Sequence, residues 1–234
     1  MGKRTVPIPQ HTAEMLARVV AKIAPPPKLT LSEWADNYRR LSQGTSAMPG
    51  KWRTSKAPYQ KEIMDAISDN HVRKVVVMSA AQIGKTDALV LNTIGYYMKY
   101  APAPIMVMQP SLEMGQGFSK ERLTPMLHDT PCLRGMVDDR SRMSGNTMLQ
   151  KKFPGGLVVI VGANSPASLA SRPIKVLLAD EIDRYPASAG KEGDPLSLAA
   201  KRQTSYWDKK EVYISTPTIK GQSRIEVEFE HSTQ

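Results

Sequence analysis

Short, wholly apolar runs rich in β-branched residues recur along the chain, and they restrict its fold more than any other feature. Runs without alternating polar residues are typical of strands buried on both faces, as in a parallel sheet covered by helices. Helical stretches separate the runs, and this alternation predicts an α/β fold: a mostly parallel central sheet flanked by helices, with right-handed crossovers. The predicted strands are Val75–Met78, Ile105–Met108, Leu157–Val161, Val176–Leu178 and Val212–Ile214, and the predicted helices between them are Asp87–Tyr100, Ser119–Leu127 and Pro195–Thr204.

The first of these strands leads directly into a loop that fits the phosphate-binding pattern G-x-x-x-x-G-K-[ST], except that Ser79 replaces the first glycine. This phosphate loop consists of Ser79, Ala80, Ala81, Gln82, Ile83, Gly84, Lys85 and Thr86. Gly84 allows the backbone to curl so that its N–H groups point at phosphates, and the helix that follows adds its positive end. Lys85 then reaches the β- and γ-phosphates and the Thr86 hydroxyl binds Mg²⁺. The alternative is a chance Gly-Lys-Thr at the start of a helix.

Two carboxylates, Asp180 and Glu181, follow the apolar run Val176–Leu178. An ATPase with a phosphate loop needs an acid at the end of a neighbouring strand to hold the magnesium shell, and we assign this role to Asp180. Hydrolysis also needs a group that activates or orients the attacking water, and Glu181 is the candidate. An acidic turn without function is the alternative reading. Together the two motifs predict a site for ATP and Mg²⁺.

The strand Val212–Ile214 ends in Ser215, Thr216 and Pro217. Hydroxyl groups at that position can sense the γ-phosphate and pass its state to the following loop. An ordinary turn is the competing interpretation.

Three further side chains are candidates for the nucleotide site. Tyr59 and Gln60 precede the first core strand, so the ring can stack on adenine and the amide can read its edge; a helix with a buried tyrosine is the alternative. Arg172 lies eight residues before Asp180, and its guanidinium can stabilise the transferred phosphate within the chain or from a neighbouring subunit. A surface arginine without function is the competing interpretation.

The beginning of the chain is predicted to form a separate module, residues 1–28. An amphipathic helix over residues 11–23 has apolar side chains at helical spacing, and Pro25, Pro26 and Pro27 end it. This helix either docks a partner or packs on its own domain. Thr30 and Glu33 form a capping-box pattern that predicts a new helix, so residues 29–234 are expected to form the main domain.

Composition limits the setting and the partners of the chain. The 32 Lys and Arg against 22 Asp and Glu give a net charge of +10, which is typical of proteins that bind nucleic acid but also of basic proteins that do not. The one cysteine, Cys132, fits a reducing, intracellular setting. We find neither a signal peptide nor a membrane span in the sequence.

Whole phrases of the sequence resemble the large terminase subunits of tailed bacteriophages, in particular the lambda-type branch. The phrases that carry the resemblance are LTLSEWADNYRRLS (29–42), WRTSKAPYQKEIMDAISD (52–69), VVVMSAAQIGKT (75–86), PAPIMVMQPSLEM (102–114), FPGGLVVIVGANSPASLASRP (153–173), LLADEIDRYPASAGKEGDP (177–195) and STPTIKG (215–221). The resemblance implies a P-loop NTPase of the ASCE type. In the family pattern, Ser79–Thr86 match the Walker A motif, and Asp180 and Glu181 match the Walker B acid and the catalytic glutamate. Ser215–Pro217 match the coupling motif, and Tyr59 and Gln60 match the adenine-binding motif. Arg172 is similar to a trans-acting arginine of the family.

The resemblance also implies a function: an ATP-driven motor that packs double-stranded viral DNA into a procapsid through its portal. Such motors work as homo-oligomeric rings in the host cell cytoplasm, and the leading helix lies where the family's large subunit meets the small subunit. Members of the family continue into a magnesium-dependent nuclease domain, and no nuclease activity is expected of residues 29–234.

Two other functions are compatible with the same residues. Asp180, Glu181 and Asp183 also fit the D-E-x-D motif of helicases, which predicts a DNA-stimulated ATPase, although a helicase needs a second ATPase lobe. A binding module without catalysis is the third possibility. A variant that lacks the Glu181 carboxylate separates the binding module from the two ATPase functions. Only an ATPase would lose turnover in this variant while it still binds ATP.

Overall fold

The computed structural model describes residues 10–12, 15, 29–44, 46, 48–138, 145–169 and 172–232. The predicted leading helix over residues 11–23 lies outside these ranges, apart from residues 11, 12 and 15, so this helix and the separate module 1–28 stay predictions. In the described part of the chain, no helix is long and apolar enough to cross a membrane.

Between residue 29 and the central sheet, the described part of the chain forms two α-helices, a small hairpin and a 3₁₀ turn (Thr54–Lys56). Helix α1 is Leu31–Tyr38, and the predicted capping box is present: the Thr30 hydroxyl accepts from the Glu33 backbone while the Glu33 side chain accepts from the Thr30 backbone. Strands β1 (Arg40–Leu41) and β2 (Gly50–Lys51) pair antiparallel and form the hairpin. Helix α2 is Tyr59–Ser68.

The described residues contain one six-stranded sheet, in the order β3-β8-β7-β4-β6-β5. Five neighbouring strands run parallel and contain the five predicted runs, so the predicted α/β class is confirmed. The strands are β3 (Lys74–Met78), β4 (Ile105–Gln109), β5 (Gln150–Phe153), β6 (Gly156–Gly162), β7 (Val176–Asp180) and β8 (Lys210–Ser215). The central strands β4 and β7 are buried along their whole length, which is why their sequences are apolar without alternation.

Helices cover both faces of this sheet. The segment after the phosphate loop is a π-helical stretch, Thr86–Leu91, that continues into α3 (Asn92–Lys99). The helical run after β4 begins at Leu112, seven residues before the predicted start. It comprises α4 (Leu112–Phe118), a π-helical stretch (Ser119–Leu123) and α5 (Thr124–Asp129). The later helices are α6 (Pro166–Leu169), α7 (Pro195–Ala200), which a 3₁₀ turn extends to Gln203, and α8 (Arg224–Glu230).

The structure corrects the predicted neighbourhood of the acidic strand. We expected the strand that carries Asp180 and Glu181 to adjoin the strand before the phosphate loop, but β8 lies between β7 and β3. The two strands are therefore about 10 Å apart. The segment that follows β8, which begins with Thr216, consequently emerges between the acids and the phosphate loop.

A close contact between α1 and α3 makes Gly95 a sensitive position in the core. A Cβ atom on Gly95 would lie 2.2 Å from Cη2 of Trp34, and that indole is fully buried and has no room to move. We expect Gly95→Ala to lower the free energy of unfolding by about 1–3 kcal/mol through overpacking. Gly117→Ala in α4 is the matched control, since a Cβ there meets nothing within 4 Å, and it should stabilise by about 0.5–1 kcal/mol. Urea unfolding of both variants measures the difference, and equal stabilities would contradict this account.

Candidate nucleotide site at the carboxyl end of the sheet

The phosphate loop curls back at the end of β3 through two residues with left-handed backbone. Gln82 has φ 65° and Gly84 has φ 78°, and the region suits a glycine but is uncommon for glutamine. The N–H of Ser79 donates to the carbonyl of Ser215 at 3.2 Å, which joins the start of the loop to the end of β8. Consecutive N–H groups in such a conformation form a concave anion site at the start of a helix.

Lys85 brings three separate parts of the sequence together. Its side chain is buried, and its Nζ lies 3.0 Å from Oε1 of Glu181 and donates to the hydroxyl of Thr216. The phosphate loop, the acidic pair and the predicted coupling residues therefore meet at one ammonium group. This position allows the ammonium to face the terminal phosphates of a nucleotide held by the loop.

Asp180 is almost fully buried beside this lysine. Burial raises the pKa of its carboxyl, and the negative charge of Glu181 raises it further, whereas the Gln109 amide, the Thr86 hydroxyl and the Lys85 charge act in the opposite direction. The Thr86 hydroxyl donates to Oδ2 of Asp180 at 3.2 Å. Among the described residues, Oδ1 of Asp180 has no hydrogen-bond partner.

These two oxygen-bearing side chains fit a magnesium ion. A buried carboxylate oxygen without a partner is costly, and a hard cation offsets that cost. Mg²⁺ beside phosphates usually takes only one or two protein oxygens, with water and phosphate oxygens completing its octahedron. Such a site needs fewer protein ligands than a metal site built from protein side chains alone. The part of the chain that the structure describes has no group of three or more His, Cys, Asp or Glu arranged for a metal.

Glu181 adopts a strained backbone immediately after β7. Its φ of 56° and ψ of 51° lie in the left-handed region, which costs a residue other than glycine about 1–3 kcal/mol. In this conformation the carboxylate spans the end of β8 and reaches Lys85, while its other oxygen lies 4.0 Å from Nε of Arg184. Strain of this kind is concentrated at functional sites.

Tyr59 and Gln60 lie against the phosphate loop, and their predicted contact with adenine stays a prediction. The Gln60 amide donates to the carbonyl of Ile83 at 2.7 Å, and the Tyr59 hydroxyl contacts the same carbonyl at 3.4 Å. Both side chains line a cavity of about 370 Å³ that also reaches Gly84. The opposite wall is the β1–β2 hairpin and the residues after it, including Trp52. Sequence reasoning missed this wall because only the tertiary fold brings the hairpin to the loop.

Arg172 does not join the other predicted residues. It is exposed and lines an open groove with Leu112, Ala167 and Ser168, beside β6. Since β6 is the fourth strand along from β3, this groove is about 19 Å across the sheet from the phosphate loop strand. The role of Arg172 at the site stays a prediction, and its exposed position favours the version in which it acts on a neighbouring subunit.

Two polar residues that the sequence did not single out for this site contribute to its geometry. Gln109 is buried at the end of β4, and its amide opposes the rise in the pKa of Asp180, although among the described residues its Nε2 has no hydrogen-bond partner of ordinary geometry. Asp183 lies three residues after Asp180, and its carboxylate accepts four hydrogen bonds from the segment after β8. The D-E-x-D spacing is the sequence signal for Asp183. Its interpretation as a helicase motif does not predict these hydrogen bonds.

Comparisons with known proteins show similarity in sequence and in fold. Residues 46–234 match the family model described as "Phage terminase large subunit gpA, ATPase domain". The chain is 27% identical over 219 residues to the terminase large subunit of Enterobacteria phage P21, and 26% identical over 204 residues to that of Escherichia phage lambda. These alignments cover 92% and 86% of this chain, but only 34% and 31% of the relatives, so the chain spans about a third of their length.

A likeness in fold accompanies the likeness in sequence. The crystal structure of the HK97 bacteriophage large terminase superposes with a TM-score of 0.68 at 13% identity, over 87% of this chain and 40% of that one.

Proposed function

Because the chain belongs to the family of phage terminase large subunits, gpA ATPase domain, we propose that it binds ATP with Mg²⁺ and hydrolyses the γ-phosphate at the site around Lys85. The observation that carries this proposal is the meeting of Lys85, Glu181 and Thr216, beside a buried Asp180 oxygen that has no partner among the described residues. A strained glutamate and a buried carboxylate with a raised pKa are both features that cluster at functional sites.

Each side chain has a distinct task in the proposed reaction. The N–H groups of the phosphate loop and the ammonium of Lys85 bind the β- and γ-phosphates and neutralise charge that develops on transfer. Thr86 and Asp180 hold Mg²⁺, which supplies charge neutralisation at the same phosphates. Glu181 accepts a proton from the attacking water or orients it, and the Thr216 hydroxyl senses whether the γ-phosphate is present. Tyr59 and Gln60 contact the adenine side of the nucleotide.

We further propose that turnover drives translocation of double-stranded DNA into a procapsid. The two relatives from phages P21 and lambda are terminase large subunits, and the net charge of +10 suits a partner with a phosphate backbone. In this proposal the chain acts in a homo-oligomeric ring at the portal in the host cell cytoplasm. Arg172 faces the site of a neighbouring subunit, and the leading helix over residues 11–23 docks the small subunit.

The motor function predicts that double-stranded DNA stimulates ATP turnover in a salt-dependent way. DNA binding through six to ten phosphate contacts weakens by about 10³–10⁵ between 50 and 200 mM salt, so stimulation at limiting DNA should be lost over this range. A coupled assay of ATP hydrolysis, with and without duplex at each salt concentration, measures the effect. Turnover without DNA at the same salt is the control. Identical turnover with and without DNA at both salt concentrations would contradict motor function in this chain.

A further inference from the structure

The carboxylate of Asp183 is the point at which three segments near the nucleotide site are joined. Its Oδ2 accepts from the N–H and the hydroxyl of Thr218, each at 2.9 Å, and from the hydroxyl of Ser223 at 2.7 Å. Its Oδ1 accepts from the N–H of Ile225 at 2.7 Å. Four donors from the loop after β8 and from the start of α8 therefore converge on one side chain at the end of β7.

The backbone of Asp183 adds a contact in the other direction. Its N–H donates to the Ser215 hydroxyl at 3.2 Å, and Ser215 is the last residue of β8, immediately before Thr216. The residues on both sides of Thr216 are thus held to Asp183. Since the Thr216 hydroxyl accepts from Lys85, the position of that hydroxyl depends on how residues 215 and 218 are held.

The contacts of Asp183 favour its charged form. Burial raises the pKa of the carboxyl, but the hydrogen bonds from Ser223, Ile225 and Thr218 outweigh burial and hold the pKa below its usual value. A carboxylate that accepts several hydrogen bonds is a strong and directional anchor. Such an anchor does not depend on a protonation change near neutral pH.

Helix α8 leads from this anchor to the opposite end of β3. It packs against β3, and Glu228 in α8 pairs with Lys74, the first residue of β3. The phosphate loop begins at the other end of the same strand. A displacement of the segment between Ser215 and Ile225 would consequently move a helix on the outer face of the domain, and not only a loop.

We propose that Asp183 is a positioning residue for ATP hydrolysis, which holds residues 216–225 so that the Thr216 hydroxyl stays on Lys85 and transmits occupancy of the γ-phosphate site to α8. This inference rests on the proposed ATPase function and deepens it, since it names the side chain that connects the phosphate site to a movable helix. Asp183 does not touch the nucleotide in this account, and it acts through Thr216.

The test uses Asp183→Asn, which keeps the size of the side chain but presents an amide nitrogen to one of the donors. We expect kcat to fall about tenfold to a hundredfold from misplacement of Thr216, while the Kd of a fluorescent ATP analogue stays within about twofold. Asp208→Asn is the matched control. Asp208 accepts from the Lys175 ammonium at 2.5 Å, next to the starts of β7 and β8 and away from residues 216–225, so its loss should lower the melting temperature without a change in kcat.

A double variant distinguishes positioning from a general loss of structure. If Asp183 acts through Thr216, then Asp183→Asn combined with Thr216→Ala should have the kcat of Thr216→Ala alone, to within about twofold. Wild-type kcat for Asp183→Asn, or losses that multiply in the double variant, would overturn the inference.

Hydrogen exchange tests the inference independently of turnover. Absence of ATP hydrolysis would count against the proposed function, but it would leave this exchange test valid. In the wild-type chain, a non-hydrolysable ATP analogue with Mg²⁺ should slow exchange of the Thr218 and Ile225 amides relative to ADP. In Asp183→Asn this difference should disappear. Equal exchange of these amides with the analogue and with ADP in the wild-type chain, or an unchanged difference in the variant, would refute transmission through Asp183.

Discussion

Glu181→Gln is expected to slow ATP turnover by about 10²–10⁴-fold while ATP with Mg²⁺ still binds. The amide has nearly the same shape as the carboxylate and can still accept from Lys85, so the contact at 3.0 Å becomes weaker but is not removed. What the variant loses is the group that takes a proton from water. Loss of the charge also removes repulsion from Asp180, because Glu181 raises the pKa of that neighbour.

Single-turnover hydrolysis and equilibrium binding of ATP measure the two effects separately. Glu192→Gln is a suitable control, since Glu192 is an exposed carboxylate in the loop before α7. It should turn over ATP at the wild-type rate. Unchanged hydrolysis in Glu181→Gln would remove the glutamate from the mechanism. Binding of ATP without turnover in the wild-type chain itself would favour a binding module without catalysis. Loss of binding together with turnover would instead assign Glu181 a structural task as the partner of Lys85.

The fold could be predicted because the signals for it are local. Each of the five parallel strands contains a continuous apolar run, and burial on both faces of central strands such as β4 and β7 produces that pattern directly. The antiparallel strand β5 was not predicted, since Gln150, Lys151 and Lys152 have the composition of a surface loop. It pairs with β6 through the turn at Gly155, where φ is 84°. Helix α8 was also missed, because its apolar residues are few and only Ile225 is fully buried.

The candidate site likewise has features that local sequence predicts and features that it does not. Lys85, Thr86, Asp180 and Glu181 were identified because their chemistry depends on motifs of adjacent residues. The order of strands, by contrast, is decided by packing across the whole sheet, and so the insertion of β8 between β7 and β3 was not foreseen. The hydrogen bonds of Asp183 could not be predicted either, since its four donors lie 35 to 42 residues away along the chain and no local sequence pattern indicates them.

Lys85→Ala is expected to have the largest effect on nucleotide affinity. The Lys85 ammonium is buried between Glu181 and Thr216, and its removal leaves a half-buried carboxylate that faces the phosphates without a counter-charge. Truncating one member of a buried, hydrogen-bonded charge pair costs about 2–5 kcal/mol, which corresponds to a loss of affinity of about 30-fold to 4,000-fold. Lys85→Arg should not restore binding, because a planar guanidinium differs in shape and hydrogen-bond geometry from the compact ammonium that contacts Glu181 and Thr216.

Thermal melting with and without nucleotide separates this loss from unfolding. In the wild-type chain, ATP with Mg²⁺ at about 100 times its Kd stabilises the fold by about 2.7 kcal/mol, and the melting temperature rises accordingly. The Lys85→Ala chain should melt in a single transition, as we also expect of the wild type, but without this nucleotide-dependent rise. Lys61→Ala is the control, since Lys61 is an exposed lysine paired with Asp65 at 2.6 Å, and it should keep the full rise. A Lys85→Ala chain that ATP still stabilises fully would show that the nucleotide binds elsewhere, and the assignments of Asp180 and Glu181 would then fail with that of Lys85.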